Sequence, residues 1–276
     1  MVLRIRLGAT LRRLREARGI TAQQAAAAIR GSDSKISRIE LGRHAAREID
    51  VSDLLTLYGV TDLAERERLL MLASQALAQP WWHRHADILP PWLQAYLGIE
   101  EAAETVQSYD THFVPGLLQT ADYAAGLLAQ ADIGEEEVRR FLDIRAERID
   151  RFAAGGWRLA AVIDEAVLHR PVGSQREFAA QLEHLRDAAG WAGVTIRIRQ
   201  LAAGAPLSPA GFTILRFGDD ELSDAVYCEQ LTSASYVDRA ADVARYSTTM
   251  EMLRTSSLPA DATAEVITSV LARPPG

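Results

Sequence analysis

The sequence has little of what builds a stapled, metal-held or membrane-spanning protein. Cys228 is its single cysteine, so no disulfide can close within the chain. A lone cysteine of this kind is expected to act as a small apolar packing residue. No run of apolar residues approaches the roughly 20 that a membrane helix needs. The opening MVLRIRLGATLRRLREARG lacks an apolar core and a small-residue cleavage site, so no secretion signal is expected and the protein reads as cytoplasmic. Catalytic signatures are missing too. There is no nucleophile elbow, no P-loop, no dinucleotide-binding glycine pattern and no pair of metal ligands at i, i+4. His83 and His85 stand two apart, which does not place them on one helix face, and only Asp87 is near as a third ligand. The residues therefore predict neither an enzyme nor a bound cofactor or metal.

Lysine is also nearly absent. Lys35 is the only one, among 30 basic residues. What the chain has is arginine, and it is unevenly placed. Residues 1–50 hold ten arginines and Lys35 against five acids, a net charge of +6. The remaining residues carry −13, so the overall −7 hides a change of sign. A coding bias towards arginine explains Arg over Lys but not that change. A small basic module on a large acidic body predicts a polyanionic partner for the first part only. With 276 residues, 48% of them hydrophobic, the chain is long enough for two domains.

Helical spacing marks the basic module. Leu7, Leu11, Leu14 and Ala17 recur along LGATLRRLREA, and Gly19 follows as a stop. Thr21 offers an N-cap for AQQAAAAIR, and Gly31 is expected to break that helix. Ser32 can cap the next one, whose buried edge is Ile36 and Ile39 and whose end is Gly42. Two further amphipathic helices, in REIDVSDLLTLYGV and DLAERERLLMLASQALA, make five. A second and third helix joined by about three residues have the layout of a helix-turn-helix, whose third helix enters the major groove. A five-helix bundle with no DNA partner has the same periodicity.

The stretch GITAQQAAAAIRGSDSKISRIELGR, residues 19–43, resembles the XRE, or lambda-repressor-like, DNA-binding domains. The resemblance implies that α-helical residues Asp33, Ser34 and Ser37 face base edges, with Asp33 able to accept from a cytosine amino group. Lys35, Arg38 and Arg43 suit phosphate, and Arg38 also suits guanine. Asp33 in the first helical turn is as well explained by helix stabilisation. Many members carry Gln directly after the Thr; here Ala22 stands there, so that anchor is missing or shifted by one residue to Gln23. In the family the acid at Glu40 pairs with a basic residue of the first helix. Arg12 and Arg15 are the candidates, and the expected structural ion pair is Glu40 with Arg12.

The tract AQPWWHRHADILPPWLQAYLG, with three of five tryptophans and three prolines, marks a boundary. The division expected is 1–79 for the helix-turn-helix domain, 80–100 for a Trp/Pro-rich junction, and 101–276 for an α+β domain that dimerises, senses an effector or binds a partner. Beyond residue 100, strands are expected in ETVQSYDTHFVPG, WRLAAVID, VTIRIRQL, GFTILRFG and AVYCEQL. VTIRIRQL alternates as a strand with one wet face. Helices are expected in LLQTADYAAGLLAQA, EEEVRRFLDIRAERIDRFA, SQREFAAQLEHLRDAAGW, YVDRAADVARYSTTMEMLRTSSL and 261–272. Ser174 with Glu177 makes a capping box for the third of these. Adjacent strands followed by helices predict an α+β fold with a mostly antiparallel sheet flanked by helices.

From PWWHRH through VPGLLQT to GFTILRFGDDELSDAVYCEQL, the chain resembles a large actinobacterial regulator family, sometimes called WhiJ-like, in which an XRE domain precedes a domain of uncertain function. This resemblance implies an antitoxin-like transcription regulator. VPGLLQT, residues 114–120, is the most recognisable element. Its apolar residues fit a core turn, although Tyr109, His112, Gln119 and Tyr123 nearby would also suit a pocket. The expected partners are double-stranded DNA, a second copy in a homodimer, and a small protein encoded nearby or a small-molecule ligand. A sequence-specific transcription regulator is the first expectation. An antitoxin-like protein whose main role is to bind a small partner protein, with autoregulation secondary, is the alternative.

Overall fold

The computed structural model describes residues 2–40, 44–77, 80–131, 133–204, 208–218 and 224–272. These form two compact units. The first is all helical: α1 Val2–Ala17, α2 Ala22–Ala28, α3 Asp33–Glu40, α4 Glu48–Leu57 and α5 Leu63–Leu77. Residues Gln94–Ala102, most of α6 (Pro91–Glu100), also belong to it. Its core gathers the expected stripe, Leu7 and Leu11 of α1, with Ile36 and Ile39 of α3 and Val51, Leu54 and Leu55 of α4.

Three of these helices end in the same way. After α1, the Gly19 N–H bonds the Glu16 carbonyl and the Ile20 N–H bonds Arg15. After α4, Gly59 bonds Thr56 and Val60 bonds Leu55; after α2, Arg30 bonds Ala27 and Gly31 bonds Ala26. Each is a paired closure that satisfies the last helical carbonyls and needs a left-handed residue. Gly19 (φ 64°) and Gly59 (φ 69°) supply it in two cases, and Arg30 (φ 51°) in the third. The break after α2 thus falls one residue earlier than Gly31, on a side chain that resists it.

The second unit is α+β, as expected. Its six strands are β1 Thr105–Asp110, β2 Arg158–Asp164, β3 Val194–Arg199, β4 Phe212–Arg216, β5 Ala225–Glu229 and β6 Ala234–Val237, in the order 3-2-1-4-5-6. The pairs β1–β4, β4–β5 and β5–β6 are antiparallel, so the sheet is mostly antiparallel. The other half, β1–β2–β3, is parallel. Parallel neighbours need long crossovers, and helices provide them: α7 Ala121–Leu128 and α8 Glu135–Gly155 between β1 and β2, α9 Gln175–Ala188 between β2 and β3. Ser174 caps α9 through the capping box with Glu177. The strand expected to run on to the Pro-Gly turn stops at Asp110, and residues 116–118 form a short 3-10 turn.

Side chains alternate between the faces of this sheet. Tyr109, Val162, Phe212, Ile214 and Val226 meet Val243, Met250 and Leu253 of α10 (Ala240–Ser256). The alternate residues Val106, Leu159, Ala161, Ile163, Ile196, Ile198 and Leu215 are buried on the other face. α11 (Thr263–Leu271) packs on α9 and is tied to β3 by the Thr263 hydroxyl, which donates to the Ile196 carbonyl at 2.7 Å. β3 does not keep one wet face: Arg199 is buried, its guanidinium donating to the Ala203 and Gly204 carbonyls.

Candidate nucleic-acid interface

α2 starts on a capping box. The Gln24 N–H donates to the Thr21 hydroxyl at 3.2 Å, and the Gln24 carboxamide oxygen accepts from the Thr21 N–H at 2.8 Å. Gln24 is therefore engaged in holding the helix start, which leaves its neighbour Gln23 exposed beside the cap. At the other end of α2, Arg30 is exposed in the left-handed turn, and no side-chain hydrogen bond or ion pair holds it among the described residues. Two residues later Ser32 opens α3, accepting from the Lys35 N–H through its hydroxyl at 3.3 Å.

α3 is two turns long and sharply two-sided. Ile36 and Ile39 are 1% and 2% exposed. Asp33, Ser34, Ser37 and Arg38 are exposed together, so the structure gathers these four on one open surface. Arg38 lies back along the helix, its Nε donating to the Ser34 carbonyl at 3.2 Å. Lys35 differs from them. Its ammonium is 2.8 Å from the carboxylate of Asp50, a residue only 2% exposed on α4. Asp50 also accepts two bonds from Arg47. Burial raises the Asp50 pKa, but the hydrogen bonds from Arg47 and Lys35 outweigh it, and the carboxyl sits below its usual range. The only lysine of the chain thus fastens α3 to α4. Arg43 lies outside the described residues.

The partner of Glu40 is Arg15, not Arg12. Arg15 Nε and Nη2 reach the two Glu40 oxygens at 2.6 and 2.9 Å, a two-pronged bond. Arg12 instead bonds Glu16 at 2.8 Å, one turn along its own helix. The reason is rotational. Arg15 continues the stripe of Leu7 and Leu11 at four-residue steps, while Arg12 is turned towards solvent. Tyr58 is buried beside the pair; burial first, then the Glu40 charge, push its phenol pKa up.

α1 crosses the end of α3 at Gly8. A β-carbon there would lie 2.7 Å from the Glu40 carbonyl oxygen and closer still to that of Ile39. Only a glycine permits this approach, which sets the depth at which α3 sits. Sequence reasoning missed Gly8, Arg30 and Asp50. Two of them carried a readable signal: a glycine inside a helical stripe, and a lone lysine fifteen residues before an acid.

Among the described residues, no group of three or more His, Cys, Asp or Glu could hold a metal, and no helix is long and apolar enough to cross a membrane. A family model described as a helix-turn-helix domain matches residues 6–69. A second, described as a domain of unknown function (DUF5753), matches residues 93–269. No curated protein and no solved structure matches the chain.

Proposed function

We propose that this chain, which belongs to the family defined by the domain of unknown function DUF5753, is a sequence-specific transcription regulator that reads duplex DNA with α3. The observation that carries the reading is the exposed polar face of α3. It is presented by a helix-turn-helix domain whose buried side is locked by the Arg15–Glu40 and Lys35–Asp50 ion pairs. Ser34 and Ser37 hydroxyls and the Asp33 carboxylate suit base edges, and Arg38 suits guanine or phosphate. Gln23 and Arg43 suit the flanking phosphates. Lys35 serves chiefly to orient α3, with its stem at the rim of the interface.

Arg30 joins this set. Its guanidinium projects from the turn that leads into α3, and a charged side chain in a left-handed turn invites a functional account. A single eight-residue helix reads few base pairs, so useful affinity calls for two copies on a two-fold operator. The homodimer is part of the proposal on that ground. The second unit then serves to pair the copies or to receive a signal.

Substitution separates the roles. Arg38→Ala is expected to cost about 1–3 kcal/mol at one operator position and little on random DNA, if it reads guanine. Competition binding against operator variants measures this. Equal losses on operator and random DNA would assign Arg38 to phosphate instead.

A further inference from the structure

The turn at residues 114–120 is held by buried amides as well as by apolar packing. Gln119 donates from Nε2 to the Val114 carbonyl at 2.7 Å. Gln181, fully buried on α9, donates to the Leu118 carbonyl at 2.8 Å and accepts from the Thr120 N–H at 2.7 Å. Tyr123 accepts from the Val114 N–H. Tyr109 lies on the other face of the sheet under α10, and His112 is exposed, so those two do not share a pocket with Gln119 and Tyr123. What the fixed turn presents is the Gln119 carboxamide oxygen, aimed at α8, where Arg145 Nη1 donates to it.

Arg145 is the anomaly. It is largely buried, Gln119 is its hydrogen-bond partner, and among the described residues no carboxylate lies within ion-pairing distance of it. Burial lowers its pKa to about 10, the charge of Arg148 pushes the same way, and Glu229 opposes at longer range. Both guanidiniums converge on Gly116. A β-carbon at that glycine would lie 3.0 Å from Arg148 Nη1 and 3.6 Å from Arg145 Nη1. Holding the Arg145 guanidinium in a low-dielectric place without a carboxylate against it is unfavourable unless a negative group completes its surroundings. A planar guanidinium offers paired donors suited to an oxyanion. The flanking Gln119 carboxamide is neutral and supplies no such charge.

We propose that Arg145, with the Gly116–Gln119 turn as its floor, binds the carboxylate or phosphate group of a small metabolite. The second unit thereby acquires a ligand class: small oxyanions. This does not rest on DNA binding, and it gives a physical role to the 114–120 turn.

The test uses the full chain, melted in chloride, acetate and inorganic phosphate at one ionic strength, alongside R145Q and Gly116→Ala. Phosphate also binds basic surfaces of the helix-turn-helix domain, so the difference between wild type and R145Q is the readout. The wild type is expected to gain a saturable rise of about 3 °C over the variant at tenfold the half-saturating concentration. In chloride, R145Q is expected to melt at or above the wild type, because a buried cation without a counter-charge has been removed. Gly116→Ala retains both cations but crowds them, and is expected to weaken the response at least several-fold. A response to phosphate alone identifies a phosphoryl ligand, and one to acetate alone a carboxylate. An R145Q chain that responds as fully as the wild type, or that melts below it in chloride, overturns the proposal, as does a wild type indifferent to both anions.

Discussion

A side chain other than glycine at φ 51° costs about 1–2 kcal/mol that glycine would not. Gly19 and Gly59 avoid that cost in two like turns of the same unit, and Arg30 does not. Arg30→Gly is therefore expected to stabilise the helix-turn-helix unit by about 1 kcal/mol. At the same time it should weaken binding to DNA of any sequence and lower the salt slope by about one. Melting curves and a salt titration check both halves; unchanged DNA affinity would take Arg30 out of the interface. Asp110 offers a second residue-level test, in the other unit. Among the described residues its Oδ2 is buried without a hydrogen-bond partner, and burial, only partly offset by the nearby Ser108 hydroxyl, pushes its pKa up to about 7. A raised carboxyl pKa means that folding takes up a proton between about pH 4 and 7. Its cost is absent below that window, grows across it and is complete above pH 7. Asp110→Asn is expected to raise the melting temperature at pH 8 and to raise it much less at pH 5.

At the scale of elements, α3 is placed by what touches its buried side. The Arg15–Glu40 pair ties it to α1, the Lys35–Asp50 pair to α4, and Gly8 sets how near α1 comes. Gly8→Ala is expected to cost about 1–3 kcal/mol by overpacking, although alanine is the better helix former by about 1 kcal/mol. It should also weaken DNA binding, because the backbone of α3 rather than a flexible side chain must move. Denaturant unfolding and binding on one preparation measure both. Most elements were legible in the sequence, but β6 (Ala234–Val237) was not: its last two residues, Tyr236 and Val237, read as the start of the helix that begins at Ala240. The leucine stripe of α1, the isoleucine pair of α3 and the Ser174–Glu177 box state their helices locally. The end of α2 was not, because Gly31 suggests the break and only the phase of the last hydrogen bonds assigns it to Arg30. Nor was the choice between Arg12 and Arg15. Both lie on the helix that faces Glu40, and the roughly 60° of rotation between positions three apart decides between them.

For the whole molecule, charge was the clearest sequence signal: +6 in the first 50 residues and −13 in the rest. The parallel half of the sheet was harder to see. β1 pairs with β2 across two intervening helices, and such long-range pairing leaves little trace in local pattern. The 114–120 motif reads as apolar core from its Val and Leu residues, while its glutamine and the arginines of α8 meet only in three dimensions. A basic module on an acidic body predicts that association with DNA depends steeply on salt and that the acidic part contributes none of that attraction. The central claim, that the open face of α3 selects DNA sequence, is tested most directly by selecting bound fragments from the source genome. The purified full chain and a Ser34→Ala/Ser37→Ala/Arg38→Ala variant would be compared. The account predicts that the wild type enriches fragments sharing a two-fold symmetric site, with affinity falling linearly in log salt, and that the variant binds but loses the enrichment. Enrichment of the same fragments by both chains, or of none by the wild type, would contradict it.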